Sequence, residues 1–232
     1  MVWQPEHDLS EAGLARQVAY FQTMKMAATQ VPKGGRPRRF DDHTERRMLL
    51  DAAMTAMARD GFQDTAVHDV VAQAGLSTRA FYRHFDSKEA LLVALMRRDA
   101  ESAARSVEAA VSGASDPFSA VKGWLDTFLD IFYEPRLRQR MAVFNSVATA
   151  LNIAEEWDMM RKIHCASLIS ALRVGHNAGL LYSPAPEVDA FSIHALACTV
   201  AGLRGQLYRT RDKATAYVLR FAAPALAIQS TQ

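Results

Sequence analysis

Between Arg46 and Leu92 short amphipathic blocks are set off by two glycines, and few folds accept that punctuation. Met48, Leu49, Ala52, Ala53 and Ala56 recur at helical spacing. They stop at Gly61, a residue type that takes the left-handed position after a helix end, with apolar Phe62 next. The pattern predicts a first helix starting at Asp42, with Glu45 at capping-box spacing. Val67, Val70 and Val71 predict a second helix, capped by Thr65 and running to Ala74. Gly75-Leu76-Ser77 then makes a turn sharp enough to need a positive φ at Gly75, and Ser77 caps a third helix from Thr78 to His84. Asp86 and Glu89 repeat the capping spacing and start a long fourth helix, Ser87 to about Val111.

No block shows the period-2 alternation of a strand, so the fold class is all-α. Further helices are expected at about 117–133, 136–151, 153–179, 187–208 and 212–228. Their breaks are Glu134-Pro135, Asn152, Gly179 with Ser183-Pro184-Ala185-Pro186, and Thr210 to Asp212. Ahead of Asp42, residues 1–32 read as an extension. Its Leu14, Val18 and Phe21 suit an amphipathic helix, though a disordered leader fits equally. Residues 33–41 carry Lys33, Arg36, Arg38 and Arg39 beside paired glycines, which suits a flexible basic arm or a plain solvated linker. Residues 42–92 would be a three-helix unit and 93–232 a larger helical domain.

Charge is unevenly spread. Residues 33–98 hold 12 basic and 9 acidic side chains, whereas 99–232 hold 13 of each. The positive excess therefore sits with the three-helix unit, where a phosphate-facing surface would need it. On the third helix Phe81 and Phe85 point inward as anchors, leaving Thr78, Arg79, Tyr82 and Arg83 outward. Hydroxyl and guanidinium donors on a short helix suit base edges and phosphates in a major groove, so the unit reads as a DNA-binding helix-turn-helix.

Ala52-Ala53, Gly61-Phe62, Thr65, Val67, Val70, Ala74-Gly75-Leu76-Ser77, Phe81-Tyr82, His84-Phe85, Ser87-Lys88-Glu89 and Leu91-Leu92 together resemble the signature of the tetracycline-repressor-like (TetR) transcriptional regulators. The resemblance implies that Thr65 and Lys88 hold phosphates and that Tyr82 packs on one. It also implies that Thr78, Arg79 and Arg83, on the helix capped by Ser77, face bases, with His84 near the DNA backbone. Arg36, Arg38 and Arg39 would reach phosphates or the minor groove. Val71 and Arg79-Ala80 depart from the usual pattern, which suggests altered fine specificity; the leader is also longer than usual and would dock on the protein's own body or add DNA contact.

Beyond the fourth helix the resemblance transfers no residue. Trp124, Phe128 and Phe132 share one helix side, Met141 and Phe144 another, and Trp157, Met160 and His164 a third, with Asn145 as a polar handle. These are either ordinary core stripes or the lining of a pocket for a small apolar effector. Helix 187–208 is apolar on most sides, and with helix 212–228 it is expected to form a homodimer interface, as the last two long helices do in the family; internal core of a monomer is the competing account.

No phosphate-binding glycine loop, nucleophile elbow or paired-cysteine set is present, so the chain reads as no enzyme. Cys165 and Cys198 suit small buried hydrophobes, and neither metal nor cofactor is called for. With no signal peptide or membrane span, a cytoplasmic protein is expected. The leading reading is a repressor released from a near-palindromic operator in double-stranded DNA by its effector. The alternative is an architectural DNA binder without one.

Overall fold

The computed structural model describes residues 40–148, 154–202 and 207–228, with backbone alone at 146–148. The expectations placed on 1–32 and on Arg36, Arg38 and Arg39 lie outside these residues. The chain divides between Asp41 and Asp42, and every helix described belongs to the second unit. These are α1 (Asp42–Asp60), α2 (Val67–Ala74), α3 (Thr78–His84), α4 (Lys88–Ser112), α5 (Pro117–Tyr133), α6 (Pro135–Ala148), α7 (Ala154–Asn177), α8 (Pro186–Gly202) and α9 (Arg211–Ala225). No strand occurs among the described residues.

Local signals account for most of the boundaries. Ser77 Oγ accepts from the Ala80 N–H at 3.2 Å and Ser87 Oγ from the Ala90 N–H at 3.1 Å, so each serine satisfies one orphan donor of the helix it opens. Asp116 and Thr210 cap α5 and α9 in the same way. Gly75 sits at φ 64°, and the Leu76 N–H behind it bonds to the Val71 carbonyl at 2.9 Å, closing the α2–α3 corner.

Two cap assignments are corrected. Ala66, not Thr65, stands before α2. Its N–H is taken by Asp69 Oδ2 at 2.9 Å, while Thr65 is fully buried and its hydroxyl donates to the Gly61 carbonyl at 2.6 Å. A threonine drawn inward to close the α1–α2 turn leaves its cap position to a carboxylate reaching back. At α4 the cap is Ser87, one residue beyond Asp86.

Two apolar clusters fill the second unit. The first gathers Leu49, Ala53 and Met57 of α1, Phe62, Val70, Phe81, Phe85, Leu91, Leu92, Leu95 and Met96, and extends to Val143, Phe144 and Met160. It therefore crosses the boundary expected at 92/93. The second gathers Val107, Trp124, Phe128, Cys165, Leu168, Ile193, Val200 and Val218 around α5. Met141 packs against both. Continuous α4 runs alongside α5 and α7 and shares contacts with α1, so it joins the three-helix unit to the larger helical part.

Candidate nucleic-acid interface and effector cavity

Third helix α3 is anchored from within. Phe81 and Phe85 are buried against α1 and α2, with ring centroids 5.8 Å apart. That anchoring fixes which side stays outside: Thr78, Arg79 and Tyr82 are exposed, and Tyr82 stands edge-on to Phe81 at 5.2 Å. Ser77 is exposed as well, its hydroxyl engaged in capping.

Arg83 and His84, expected to face bases and the DNA backbone, are turned toward α1. Arg83 Nη2 donates to Glu45 Oε2, its Nε lies 3.8 Å from Asp42 Oδ1, and His84 Nε2 meets the same Glu45 oxygen at 3.0 Å. Glu45 is only 5% exposed. The His84 hydrogen bond, then the Arg83 contacts, hold its carboxyl below the usual carboxylate range against the opposing effect of burial. Asp42, Glu45 and His84 are close enough to share a cation. The Arg83 guanidinium already occupies that oxygen, so the cluster has its positive partner.

Lys88 also differs from expectation. Its ammonium donates to the carbonyls of Phe62, Gln63 and Thr65 at 2.7, 3.1 and 2.9 Å and lies 4.4 Å from the Phe62 ring centroid. The first residue of α4 thereby collects the carbonyls left over in the α1–α2 loop. Thr65, buried beneath, offers no free hydroxyl to a phosphate. Glu45 and the three-carbonyl seat of Lys88 carry no sequence signal, because their partners lie some two dozen to 39 residues away along the chain.

A cavity of about 650 Å³ opens between α4, α5, α6 and α7. Of the residues expected to line a pocket, Met141, Phe144, Met160 and His164 do so. Trp124 and Phe128 do not. They stack at 4.8 Å inside the second cluster, and Trp124 Nε1 donates to the His164 carbonyl at 3.0 Å. Phe132 packs against that cluster, Trp157 against the first, and Asn145 is exposed. Equal helical spacing cannot distinguish a stripe that meets another helix from one that meets a void.

Nor is the cavity wholly apolar. Asp51, Arg98, Asp99, Arg105, Asp130 and Arg140 stand along it. Arg98 Nη1 meets Asp51 Oδ1 of α1 at 2.6 Å, and Arg140 Nε of α6 meets Asp99 Oδ2 at 2.5 Å. These pairs tie α4 to α1 on one side and to α6 on the other.

A model of "Bacterial regulatory proteins, tetR family" matches residues 49–95. The HTH-type transcriptional regulator EthR of Mycolicibacterium smegmatis is 30% identical over 162 residues, 69% of this chain and 74% of that protein. The HTH-type transcriptional repressor Rv1474c of Mycobacterium tuberculosis is 34% identical over 101 residues, 41% of this chain and 54% of that protein, so here the chain spans about half its relative's length. The crystal structure of the transcriptional regulator FadR from Bacillus subtilis in complex with stearoyl-CoA shares the fold. It has a TM-score of 0.61 at 14% identity, over 78% of this chain and 98% of that one. The chain belongs to the TetR family.

Proposed function

We propose that this chain is a dimeric, ligand-responsive transcriptional regulator, repressing by default and released from a near-palindromic operator when an effector enters the cavity between α4 and α7. The observation that carries this reading is the face of α3: a short helix, rigidly anchored by Phe81 and Phe85, that leaves Thr78, Arg79 and Tyr82 to the outside. Arg83 joins them once DNA draws it from Glu45, and Arg36, Arg38 and Arg39 add phosphate or minor-groove contacts. Lys88, Thr65 and His84 act by holding the loop and helix in place.

Effector control is supported by the position of the cavity. Asp51 belongs to α1, so a ligand that disturbs its pair with Arg98 bears directly on the angle of the reading head. FadR, with the same fold, was crystallised with stearoyl-CoA. Dimerisation is assigned to α8 and α9. Val188, Leu207 and Phe221, each at least half exposed, stand on or between these helices, and Ala195, Thr199 and Gly202 keep an outer side of α8 low enough for close helix approach.

Fluorescence anisotropy on the DNA flanking the protein's own gene tests the reading. A specific site is expected, with affinity falling steeply as salt rises, because phosphate neutralisation releases counterions. No site and no salt slope would sink it.

A further inference from the structure

The inner end and the rim of the cavity differ in chemistry. Ala100, Ile131, Phe144 and Met160 make the inner wall and are buried, whereas Ser102, Arg105 and Ser106 are exposed at the opening. Among the inner side chains His164 is unlike the rest. It is 6% exposed, and its ring lies edge-on to Phe128 at 5.5 Å and 6.1 Å from His194. Among the described residues its imidazole nitrogens have no hydrogen-bond partner. Burial pushes its pKa down to about 4, so the ring is neutral, with one N–H to donate and one lone pair to accept. A buried polar group in that condition gains from an oxygen brought by a ligand.

The rim has its own asymmetry. Each acid lining the cavity is already taken: Asp51 by Arg98 at 2.6 Å, Asp99 by Arg140 at 2.5 Å, and Asp130 by Arg211 of α9 at 3.2 Å. Arg105 has no carboxylate within ion-pair distance among the described residues. A cationic ligand would have to break a standing pair, whereas an anionic one meets a free guanidinium. The volume of about 650 Å³ lies in the range that encloses a drug-sized molecule.

We infer that the effector is an amphipathic anion: an apolar body against Ile131, Met141, Phe144 and Met160, a carboxylate at Arg105, and a hydroxyl or carbonyl oxygen at His164. This rests on the reading of the cavity as an effector site.

Titration calorimetry on the full chain, with every probe below its micelle concentration, separates the two. The probes are decanoate, decan-1-ol, decyltrimethylammonium and a decanoate bearing a terminal hydroxyl. Decanoate is expected to bind about tenfold or more tightly than the alcohol, as a charge-assisted hydrogen bond warrants, with the ammonium weakest. Arg105→Gln, an exposed change, should erase that advantage and leave the alcohol unaffected. The hydroxy acid should lose about tenfold in His164→Leu and keep its affinity in His164→Gln, which preserves a donor and an acceptor and controls for misfolding. Equal binding of acid and alcohol, preference for the ammonium, or an unaltered decanoate affinity in Arg105→Gln overturns the anion assignment and leaves the effector reading standing. Loss of the hydroxy acid equal to that of decanoate in His164→Leu overturns the role of His164. Binding of none of the four overturns the effector reading as well.

Discussion

The guanidinium of Arg83, an exposed residue of α3, pairs with the buried carboxylate of Glu45 of α1, and His84 shares the same carboxylate oxygen. The recognition segment is thus tethered to α1 by charge as well as by the Phe81 and Phe85 anchors. A depressed folded-state pKa at Glu45 means the native chain binds fewer protons there than the unfolded chain does. The resulting stability is present above the unfolded value near 4.5 and is lost as pH falls through the lower folded value. Glu45→Gln should remove that acid-limb contribution and cost about 1–2 kcal/mol at neutral pH. Urea melts at several pH values check it, and parallel acid limbs in both proteins would count against the tether.

Lys88 should matter for stability first. Replacing it with Met leaves the part-buried carbonyls of Phe62 and Thr65 without their donor, an expected loss of about 1–3 kcal/mol. For a chain of this length that lowers Tm by about 2–4 °C per kcal/mol. Arg is not expected to rescue, since a planar fork does not fit three carbonyls converging on one point. Circular dichroism melts of Lys88→Met and Lys88→Arg decide it.

His164 and His194 are both pushed by burial to about 4 from an ordinary 6.5, His194 further by Arg161 and His164. Each is neutral when folded, so the unfolded chain takes up protons first as pH drops. Stability should be complete above pH 6.5 and decline toward pH 4, by up to about 3 kcal/mol for each group if it titrated alone. Calorimetric Tm against pH tests this, and His164→Gln should flatten part of the slope.

Exposed Arg79 and Tyr82 should govern DNA affinity with little effect on folding. If Arg79 reads a base, Arg79→Ala costs about 1–3 kcal/mol at one operator position and relaxes specificity there. If it contacts a phosphate, affinity falls evenly across sequences and the salt slope drops by about 1. Anisotropy titrations over a mutated operator set distinguish the two, and no loss from Arg79→Ala or Tyr82→Ala would remove α3 from the interface.

Asp51 and Arg98 should carry coupling more than stability. A partly exposed pair contributes about 0–1 kcal/mol to folding, so Asp51→Asn should fold normally. Its operator affinity should respond less to cavity ligands than the parent's, because the link from cavity to α1 is cut. Operator titrations with and without saturating decanoate measure it, and an undiminished response would place the coupling elsewhere.

The helices, their order and the helix-turn-helix unit are legible in the sequence, because caps, glycines and apolar periodicity act over three or four residues. The inward Phe81 and Phe85, the Gly75 corner and the Ser77 cap are of that kind. What tertiary packing alone decided involves partners far apart in sequence. It turned Glu45 into the seat for Arg83 and His84, set Lys88 on the loop carbonyls, and drew Thr65 into the interior. It also buried Trp124 and Phe128 in a core while leaving Met141, Phe144, Met160 and His164 along a cavity with a charged rim. A side chain's helical face follows from local periodicity. Whether that face meets another helix, a void or a distant charge depends on how the helices pack against one another.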